Sequence, residues 1–286
     1  MSFGAALRAA QAAYGPLCVG IDPHEHLLEA WGLPVSAEGT REFGLRVVDA
    51  AAGRVGVVKP QVAFFERFGS AGFAALEEIQ AAARAAGLLV IADAKRGDIG
   101  TTMDGYASAW LTPGAPLEAD AVTVSPYLGA GALEATLAYA LRHGKGVFVL
   151  AATSNPEGRV LQRAVPHPGE GHAGSVAGEV VAAVSTWTRT HEPDADLASA
   201  GFVIGATVDR ADLGLPARLV PAAPILAPGF GAQGAAPADL VRLFGDDAAN
   251  VVANESRSIL SAGPAPEALA DRITERRSLY SEAQHG

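Results

Sequence analysis

The sequence predicts a (β/α)8 barrel that forms one domain, and three observations predict it. Short apolar runs rich in β-branched residues occur eight times along the 286 residues. Alanine-rich stretches with helical periodicity separate most of these runs. Polar or glycine-rich residues follow nearly every run, which is where barrel enzymes carry their active sites. An open doubly wound sheet is the alternative fold that the same alternation allows.

The eight apolar runs are predicted to be parallel strands. Each is nearly continuous and lacks the polar alternation of a half-exposed sheet, which is typical of strands covered on both faces. In chain order the runs are residues 17–22, 55–60, 88–95, 121–126, 146–154, 202–207, 224–230 and 249–256. Eight such strand–helix units in roughly 250 residues fit a closed barrel.

The stretches between the strands predict helices. The clearest covers residues 70–86, where Ser70 is the expected N-cap and Gly87 follows the last turn. Residues 40–53 repeat this pattern, and residues 175–190 are expected to form the fifth helix of the barrel. These helices would cover the outer face of the predicted sheet.

One connection is too long for a simple strand–helix unit. It holds the Gly-, Pro- and His-rich stretch NPEGRVLQRAVPHPGEGH before the fifth helix. We interpret residues 155–172 as a loop insertion rather than as a second domain. The whole chain, 1–286, is therefore predicted to be a single barrel domain.

Composition limits the classes of protein that fit. With 49% hydrophobic residues the chain can build a large core. A net charge of −10 argues against a general affinity for nucleic acid or for anionic membranes. One cysteine, Cys18, excludes an intrachain disulfide, and no apolar stretch approaches the ~18 residues of a membrane span. With no signal-peptide pattern at the N-terminus, we expect a cytoplasmic protein.

Charged residues close three successive strands. Asp93 and Lys95 lie two residues apart and therefore project from the same face of the third strand. Asp22 closes the first strand and Lys59 the second, at equivalent heights. Two acids and two lysines can balance one another in a partly buried site. The alternative interpretation is a structural salt-bridge network at the barrel rim.

A lysine among carboxylates has two chemical uses. Its ammonium can deliver a proton to a developing carbanion, or its neutral amine can form a Schiff base. Nearby acids favour the ammonium. The array therefore favours a proton donor.

The loops after strands seven and eight predict a site for a small anion. Residues 228–235 read PGFGAQGA, and their glycines expose backbone N–H groups. Gln233 adds a side-chain amide, and Arg257 adds a fork of donors after strand eight. Barrels commonly bind phosphate with these two loops. We therefore expect a phosphate pocket here.

These residues resemble a known family. The segment DAKRGDIGTT, with Asp93, Lys95 and Asp98, resembles the D-x-K-x-x-D signature of orotidine 5'-phosphate decarboxylase, and most closely its second bacterial subfamily. The spacing alone is shared with related barrel enzymes that act on sugar phosphates, whereas its combination with further motifs is specific. Those motifs are GIDPH (20–24), VVKPQ (57–61), VTVSPYLGAGAL (122–133), ATSNPEGRVLQ (152–162), VIGAT (203–207), APGFGAQG (227–234) and SRSIL (256–260).

The resemblance implies a reaction, the conversion of orotidine 5'-phosphate to uridine 5'-phosphate and CO2 in pyrimidine biosynthesis. It implies no cofactor and no metal, and the chain contains no Walker sequence or dinucleotide fingerprint. Lys95 would protonate carbon 6 of the pyrimidine, and Asp93 would lie beside the departing carboxylate. Lys59 would bridge Asp93 and the ribose hydroxyls.

The resemblance also implies substrate contacts and a homodimer. Asp22 would bind the ribose, Ser125 the pyrimidine ring, and Gln233 with Arg257 the phosphate. Asp98 and Thr102 would reach into the site of the neighbouring subunit. The chain departs from many relatives outside the subfamily at Gly100, where they have proline, and at Pro126-Tyr127, where they have a His-Pro pair. These departures concern loops.

Three other functions remain open at this point. A Mg2+-dependent sugar-phosphate decarboxylase or aldolase of the same superfamily would share the acid–lysine spacing. A Schiff-base aldolase would use Lys95 or Lys59, and a barrel that only binds a ligand is the non-enzymatic alternative. His24 and His26 follow strand one, but they lack a third metal ligand nearby, so we expect ordinary surface or loop histidines.

Overall fold

This computed structural model describes residues 1–166 and 174–285. Within these residues, eight parallel strands close into a barrel. Of Gln233, Gln284 and His285 it describes the backbone alone. The strands are β1 (Leu17–Ile21), β2 (Val57–Pro60), β3 (Leu89–Arg96), β4 (Ala121–Val124), β5 (Gly146–Ala152), β6 (Ala200–Ile204), β7 (Ile225–Pro228) and β8 (Val251–Glu255). Because β1 pairs with β8, the predicted (β/α)8 barrel is confirmed and the open sheet is wrong.

Helices connect the strands and cover the barrel. They are α1 (Phe3–Tyr14), α2 (Glu25–Ala30), α3 (Ala37–Ala51), α4 (Ala63–Glu66), α5 (Gly69–Ala85), α6 (Gly100–Leu111), α7 (Glu134–Arg142), α8 (Gly158–Gln162), α9 (Val176–His191), α10 (Leu240–Phe244), α11 (Arg257–Leu260) and α12 (Pro266–His285). None of the helices in the described ranges has the length and apolarity that crossing a bilayer requires.

The predicted helices are present, with one error at a cap. Ser70 is not the N-cap of α5, because that helix begins at Gly69 and Phe68 occupies the cap position. The predicted helices over 40–53 and 175–190 correspond to α3 and α9. Each of these two is capped by a serine whose side chain accepts a backbone N–H of the first turn, Ser36 for α3 and Ser175 for α9.

The barrel interior is filled by one apolar cluster to which every strand contributes a buried side chain. The strand residues in this cluster are Cys18, Val57, Ile91, Ala121, Phe148, Val203, Leu226 and Val252. Helix α1 closes the N-terminal end, where the rings of Phe3 and Phe148 pack edge to face with centroids 5.9 Å apart. Side chains two positions further along a strand face the same interior. Lys59 and Asp93, two residues after Val57 and Ile91, therefore stand above this cluster at the carboxyl end.

Part of the predicted insertion folds against the end of β5. The Gln162 side chain reaches back to Thr153, with its Oε1 3.1 Å from the Thr153 amide and its Nε2 2.7 Å from Thr153 Oγ1. Arg159 pairs with Asp212 at 3.0 Å. Residues 155–166 are described and contain α8, whereas the rest of the 155–172 segment, with His167 and His172, lies outside the described residues.

Candidate active site

A cavity of about 560 Å³ opens at the carboxyl ends of the strands. The predicted site residues that line it are Asp22, Lys59, Asp93, Lys95 and Arg257. Asp98, Thr102 and Ser125 do not line the cavity of this subunit. The side chain of Gln233 lies outside the described part of the chain, although Ala232 beside it lines the cavity.

The carboxylate of Asp93 is the centre of the charge array. Its Oδ1 lies 2.6 Å from Nζ of Lys95, and its Oδ2 lies 3.0 Å from Nζ of Lys59. Thr123 donates a third hydrogen bond, from Oγ1 to Asp93 Oδ1 at 2.9 Å. The prediction that Asp93 and Lys95 project together, with Lys59 beside them, is confirmed.

Burial and charge act against each other in this array. Burial by itself would raise the pKa of Asp93, but the two ammonium groups and their hydrogen bonds hold that pKa well below its usual range. Burial likewise opposes the charge on Lys59, yet the carboxylates of Asp93 and Asp22 raise the pKa of Lys59 above its ordinary value. Both groups are therefore ionised at neutral pH. The Lys59 side chain is 5% exposed and that of Lys95 is 45% exposed, so Lys95 presents the more accessible ammonium.

Thr123 holds the backbone of Lys95 as well as the carboxylate. The Lys95 amide donates to Thr123 Oγ1 at 2.9 Å, and Lys95 has a φ of +49°, which residues with a Cβ rarely adopt. The strand is irregular here, since Ala92 pairs with Val122 but Arg96 pairs with Val124. Sequence reasoning missed Thr123. The available signal was its place on β4, two residues after the inward-facing Ala121, because side chains two apart on a strand share a face.

The same irregularity explains why Ser125 does not face the cavity. Its amide donates to the carbonyl oxygen of Arg96, and a Cβ on Gly97 would lie 2.5 Å from the Ser125 carbonyl oxygen. Ser125 is thus packed against the extended end of β3. Ser154 and Asn155, after β5, line the cavity instead.

Two buried oxygen atoms at the cavity have no hydrogen-bond partner in the described part of the chain. They are Oδ1 of Asp22 and Oγ of Ser256, and both residues line the cavity. Gly20 makes room for the serine, because a Cβ there would lie 1.9 Å from Ser256 Oγ. Buried polar atoms are normally hydrogen-bonded, so these two oxygens are a polar feature of the cavity wall that the described residues leave unsatisfied. Sequence reasoning did not single out Ser256.

His24 and His26 stack at the rim of the cavity, with ring centroids 5.3 Å apart. Burial lowers the pKa of His24, so this ring is neutral near pH 7. Within residues 1–166 and 174–285 no group of three or more His, Cys, Asp or Glu side chains is arranged to hold a metal ion. The departure at Gly100 has a conformational basis, since its φ of +53° is closed to proline.

Fold and site together define a (β/α)8 barrel with a lysine held by a buried carboxylate in the cavity at the carboxyl ends of its strands. A family model described as "Orotidine 5'-phosphate decarboxylase / HUMPS family" matches residues 15–273, and the chain belongs to this family. The decarboxylase resemblance of the motifs is thereby confirmed. Its finer likeness to the second bacterial subfamily stays a prediction.

Individual relatives agree with this family. The chain is 51% identical over 277 residues to an orotidine 5'-phosphate decarboxylase of Streptomyces coelicolor, covering 95% of both chains. It is 50% identical over 265 residues to one of Corynebacterium glutamicum, covering 92% of both. A crystal structure from Streptomyces avermitilis ma-4680, assigned as the same enzyme, superposes with a TM-score of 0.92 at 48% identity, covering 100% of this chain and 96% of that one. The Leishmania donovani OMP decarboxylase gives 0.74 at 28% identity, covering 98% and 100%.

Proposed function

We propose that the protein decarboxylates orotidine 5'-phosphate to uridine 5'-phosphate and CO2, with Lys95 as the proton donor. The observation that carries this proposal is the Asp93 carboxylate, which aligns the ammonium groups of Lys59 and Lys95 at the cavity. Membership of the family supports the reaction. The roles of individual residues rest on the geometry of the cavity.

The reaction needs a proton at the carbon that loses CO2. The bond from carbon 6 to the carboxyl carbon breaks, and its electron pair stays on carbon 6. The ammonium of Lys95 transfers a proton to that carbon, and the resulting amine regains a proton from solvent after product release. Asp93 keeps the ammonium in place before the transfer, because its Oδ1 accepts a hydrogen bond from Lys95 Nζ.

Charge stabilisation must supply most of the rate, because carbon 6 has no conjugated electron sink. Enzymes lower barriers by about 8–23 kcal/mol, and this reaction belongs toward the upper part of that range. A fixed ammonium acts strongly on a developing carbanion when water is excluded. One lysine does not suffice, so binding of the distant phosphate must help to position the ring.

The proposal assigns each part of the substrate to one part of the cavity. The phosphate lies at Arg257 and the loop 229–235, to which Gln233 belongs. The ribose lies at Asp22 and Lys59, with the Ser256 hydroxyl between it and the phosphate. These assignments are supported by the cavity lining, because Asp22, Lys59, Ser256 and Arg257 all line one cavity.

The pyrimidine contact is assigned to Ser154 rather than to Ser125. Ser154 lines the cavity at the end of β5, whereas Ser125 packs against Gly97. A hydroxyl can donate to or accept from the ring amide. The segment 155–172, which we propose to be an insertion into a single barrel domain, follows directly after this serine.

The proposal includes a homodimer. Asp98 and Thr102 lie outside this subunit's cavity, on the loop before α6 and on its first turn. Ile99 beside them is 60% exposed, and after the neighbouring β4 Tyr127 is 76% exposed. Large exposed apolar side chains favour an interface. A second copy packed on these loops would bring its own cavity to Asp98 and Thr102.

A spectrophotometric assay of orotidine 5'-phosphate tests the function. The proposal expects loss of the substrate's absorbance and formation of uridine 5'-phosphate at the same rate with or without EDTA. Loss of activity in EDTA that Mg2+ restores would favour the metal-dependent alternative. Trapping of substrate on the protein by borohydride would favour the Schiff-base aldolase.

The proposed location is the cytoplasm. The single cysteine, Cys18, is free and buried under the cavity, as expected for a protein that does not depend on disulfides. Cell fractionation followed by the decarboxylase assay would test this location.

A further inference from the structure

A buried carboxylate lies behind the proposed phosphate site, on the outer face of β8. Asn254 and Ser256 line the cavity, whereas Glu255 between them points toward α12 and its side chain is fully buried. A buried charge is costly unless it is paired and hydrogen-bonded. The hydrogen bonds and ion pair that Glu255 forms therefore constrain the structure around it.

The C-terminal helix supplies most of the donors to this carboxylate. Arg276 binds it with two parallel hydrogen bonds, Nε to Oε2 at 2.9 Å and Nη2 to Oε1 at 2.8 Å. The Tyr280 hydroxyl donates to Oε1 at 2.7 Å. The match of the family model ends at residue 273, so both donors lie beyond the segment that matches the family.

The carboxylate also contacts the segment that carries Arg257. The hydroxyl of Ser258, the next residue, donates to Glu255 Oε2. Arg272 of α12 donates to the Ser258 carbonyl oxygen at 2.9 Å. The residue directly after Arg257 is therefore tied to Glu255 and to α12.

The second half of the phosphate site rests on the same residues. Gly231, at the start of the turn 231–233, has a φ of +68°, and a Cβ there would lie 2.6 Å from Glu255 Oε2. The ring of Phe230 packs edge to face on Tyr280, with centroids 5.6 Å apart. The loop after β7 and Ser258, the residue after Arg257, thus both pack against one buried carboxylate and its donors.

We infer that Glu255, Arg276 and Tyr280 are positioning residues for phosphate recognition. They hold the loop 229–235 and Arg257 in fixed positions relative to each other. This inference rests on the proposed function, because it assumes that these two segments bind the substrate phosphate. None of the three residues lines the cavity. They act through the segments that they support, and their effect is confined to ligands that carry a phosphate.

The test uses Tyr280→Phe, which removes one hydrogen bond and keeps the ring that packs on Phe230. The expected result is a fall of about tenfold in kcat/KM for orotidine 5'-phosphate, with less than about a twofold change for orotidine. Arg276→Lys keeps the charge but loses the two parallel hydrogen bonds. It should lower the ratio of kcat/KM for orotidine 5'-phosphate to kcat/KM for orotidine in the same way. Tyr139→Phe is the matched control, because it removes one partly buried hydroxyl contact, to Thr112 at 2.7 Å, and neither residue lines the cavity.

A purely structural role would lower the amount of folded protein and reduce turnover of both substrates equally. An unchanged ratio in both Tyr280→Phe and Arg276→Lys would overturn the inference. Calorimetry with uridine 5'-phosphate and uridine separates this failure from failure of the proposed function. If the native protein does not turn over orotidine 5'-phosphate, the proposed function fails, while a selective loss of uridine 5'-phosphate binding in the variants would still support the positioning role.

Discussion

The Nζ atom of Lys95 lies 2.6 Å from Oδ1 of Asp93, and both residues point inward from β3. The other oxygen of this carboxylate is 3.0 Å from Lys59. One buried anion therefore aligns two ammonium groups. Lys95 is much the more exposed of the two lysines, which is why the proposal assigns the proton transfer to it.

Thr123→Val tests whether the hydroxyl that contacts both Asp93 and the Lys95 backbone supports catalysis. The change keeps the shape of the side chain but leaves a buried carboxylate with one donor fewer. We expect kcat/KM to fall by about tenfold while the protein remains folded. Steady-state kinetics and circular dichroism provide the measurement.

Thr136→Val is the matched control for that change. Thr136 is fully buried, and its Oγ1 has no partner among the described residues. Removing such a hydroxyl should be neutral or stabilising and should leave kcat/KM unchanged. Equal effects of the two substitutions would show that Thr123 contributes nothing specific to the site.

Arg257→Ala tests the phosphate assignment. A guanidinium that forms two charge-assisted hydrogen bonds to phosphate strengthens binding by about a hundredfold. Without it, kcat/KM for orotidine 5'-phosphate should fall by about that factor. Turnover of orotidine, which lacks the phosphate, should change little. Arg242→Ala is the control, since Arg242 is exposed and pairs only with Asp239 in the described structure. Equal losses on both substrates would remove Arg257 from the phosphate site.

The depressed pKa of Asp93 predicts how its contribution to stability depends on pH. A carboxyl group whose pKa is lower in the folded state stabilises the protein above its unfolded value of about 3.9, and this contribution disappears as the pH falls through the folded-state value. Asp93→Asn leaves Lys59 buried without its carboxylate and should cost about 3–5 kcal/mol near pH 7. Urea unfolding should give a smaller difference in the free energy of unfolding between the native protein and Asp93→Asn near about pH 3. A difference that does not vary with pH would contradict the assigned ionisation.

Subunit mixing tests the homodimer and the crossing of Asp98. Lys95→Ala and Asp98→Ala should each be inactive, and a mixed dimer should contain one site with both native residues. After subunit exchange, an equal mixture should regain about a quarter of native activity. Each variant taken alone through the same exchange is the control. Mixed dimers that form without any gain of activity would show that Asp98 serves its own subunit.

The barrel and its charge array could be predicted because their signals are repeated. Eight apolar runs of similar length indicate the strand count, and alternation along a strand places Asp93 and Lys95 on one face. Charged residues at the ends of apolar strands are costly unless they meet partners. Sequence patterning was therefore sufficient to predict that the side chains of Lys59, Asp93 and Lys95 lie together.

Hydroxyl residues could not be placed in the same way. Ser125, Ser154 and Ser256 each lie at or just after the end of an apolar run, but only Ser154 and Ser256 line the cavity. The irregular pairing of β3 with β4 turns Ser125 away from the cavity, and such a shift depends on backbone register. The contact between Glu255 and α12 also joins distant segments, for which the sequence carries no short-range signal.

The most direct test of the central claim compares Lys95→Ala and Lys95→Arg in turnover and in binding of uridine 5'-phosphate. The arginine keeps a cation beside Asp93 but does not release a proton readily. We expect both variants to lose turnover by about a thousandfold or more and both to bind uridine 5'-phosphate within about threefold of the native affinity. Near-native turnover by Lys95→Ala, with product binding intact, would show that another group protonates carbon 6.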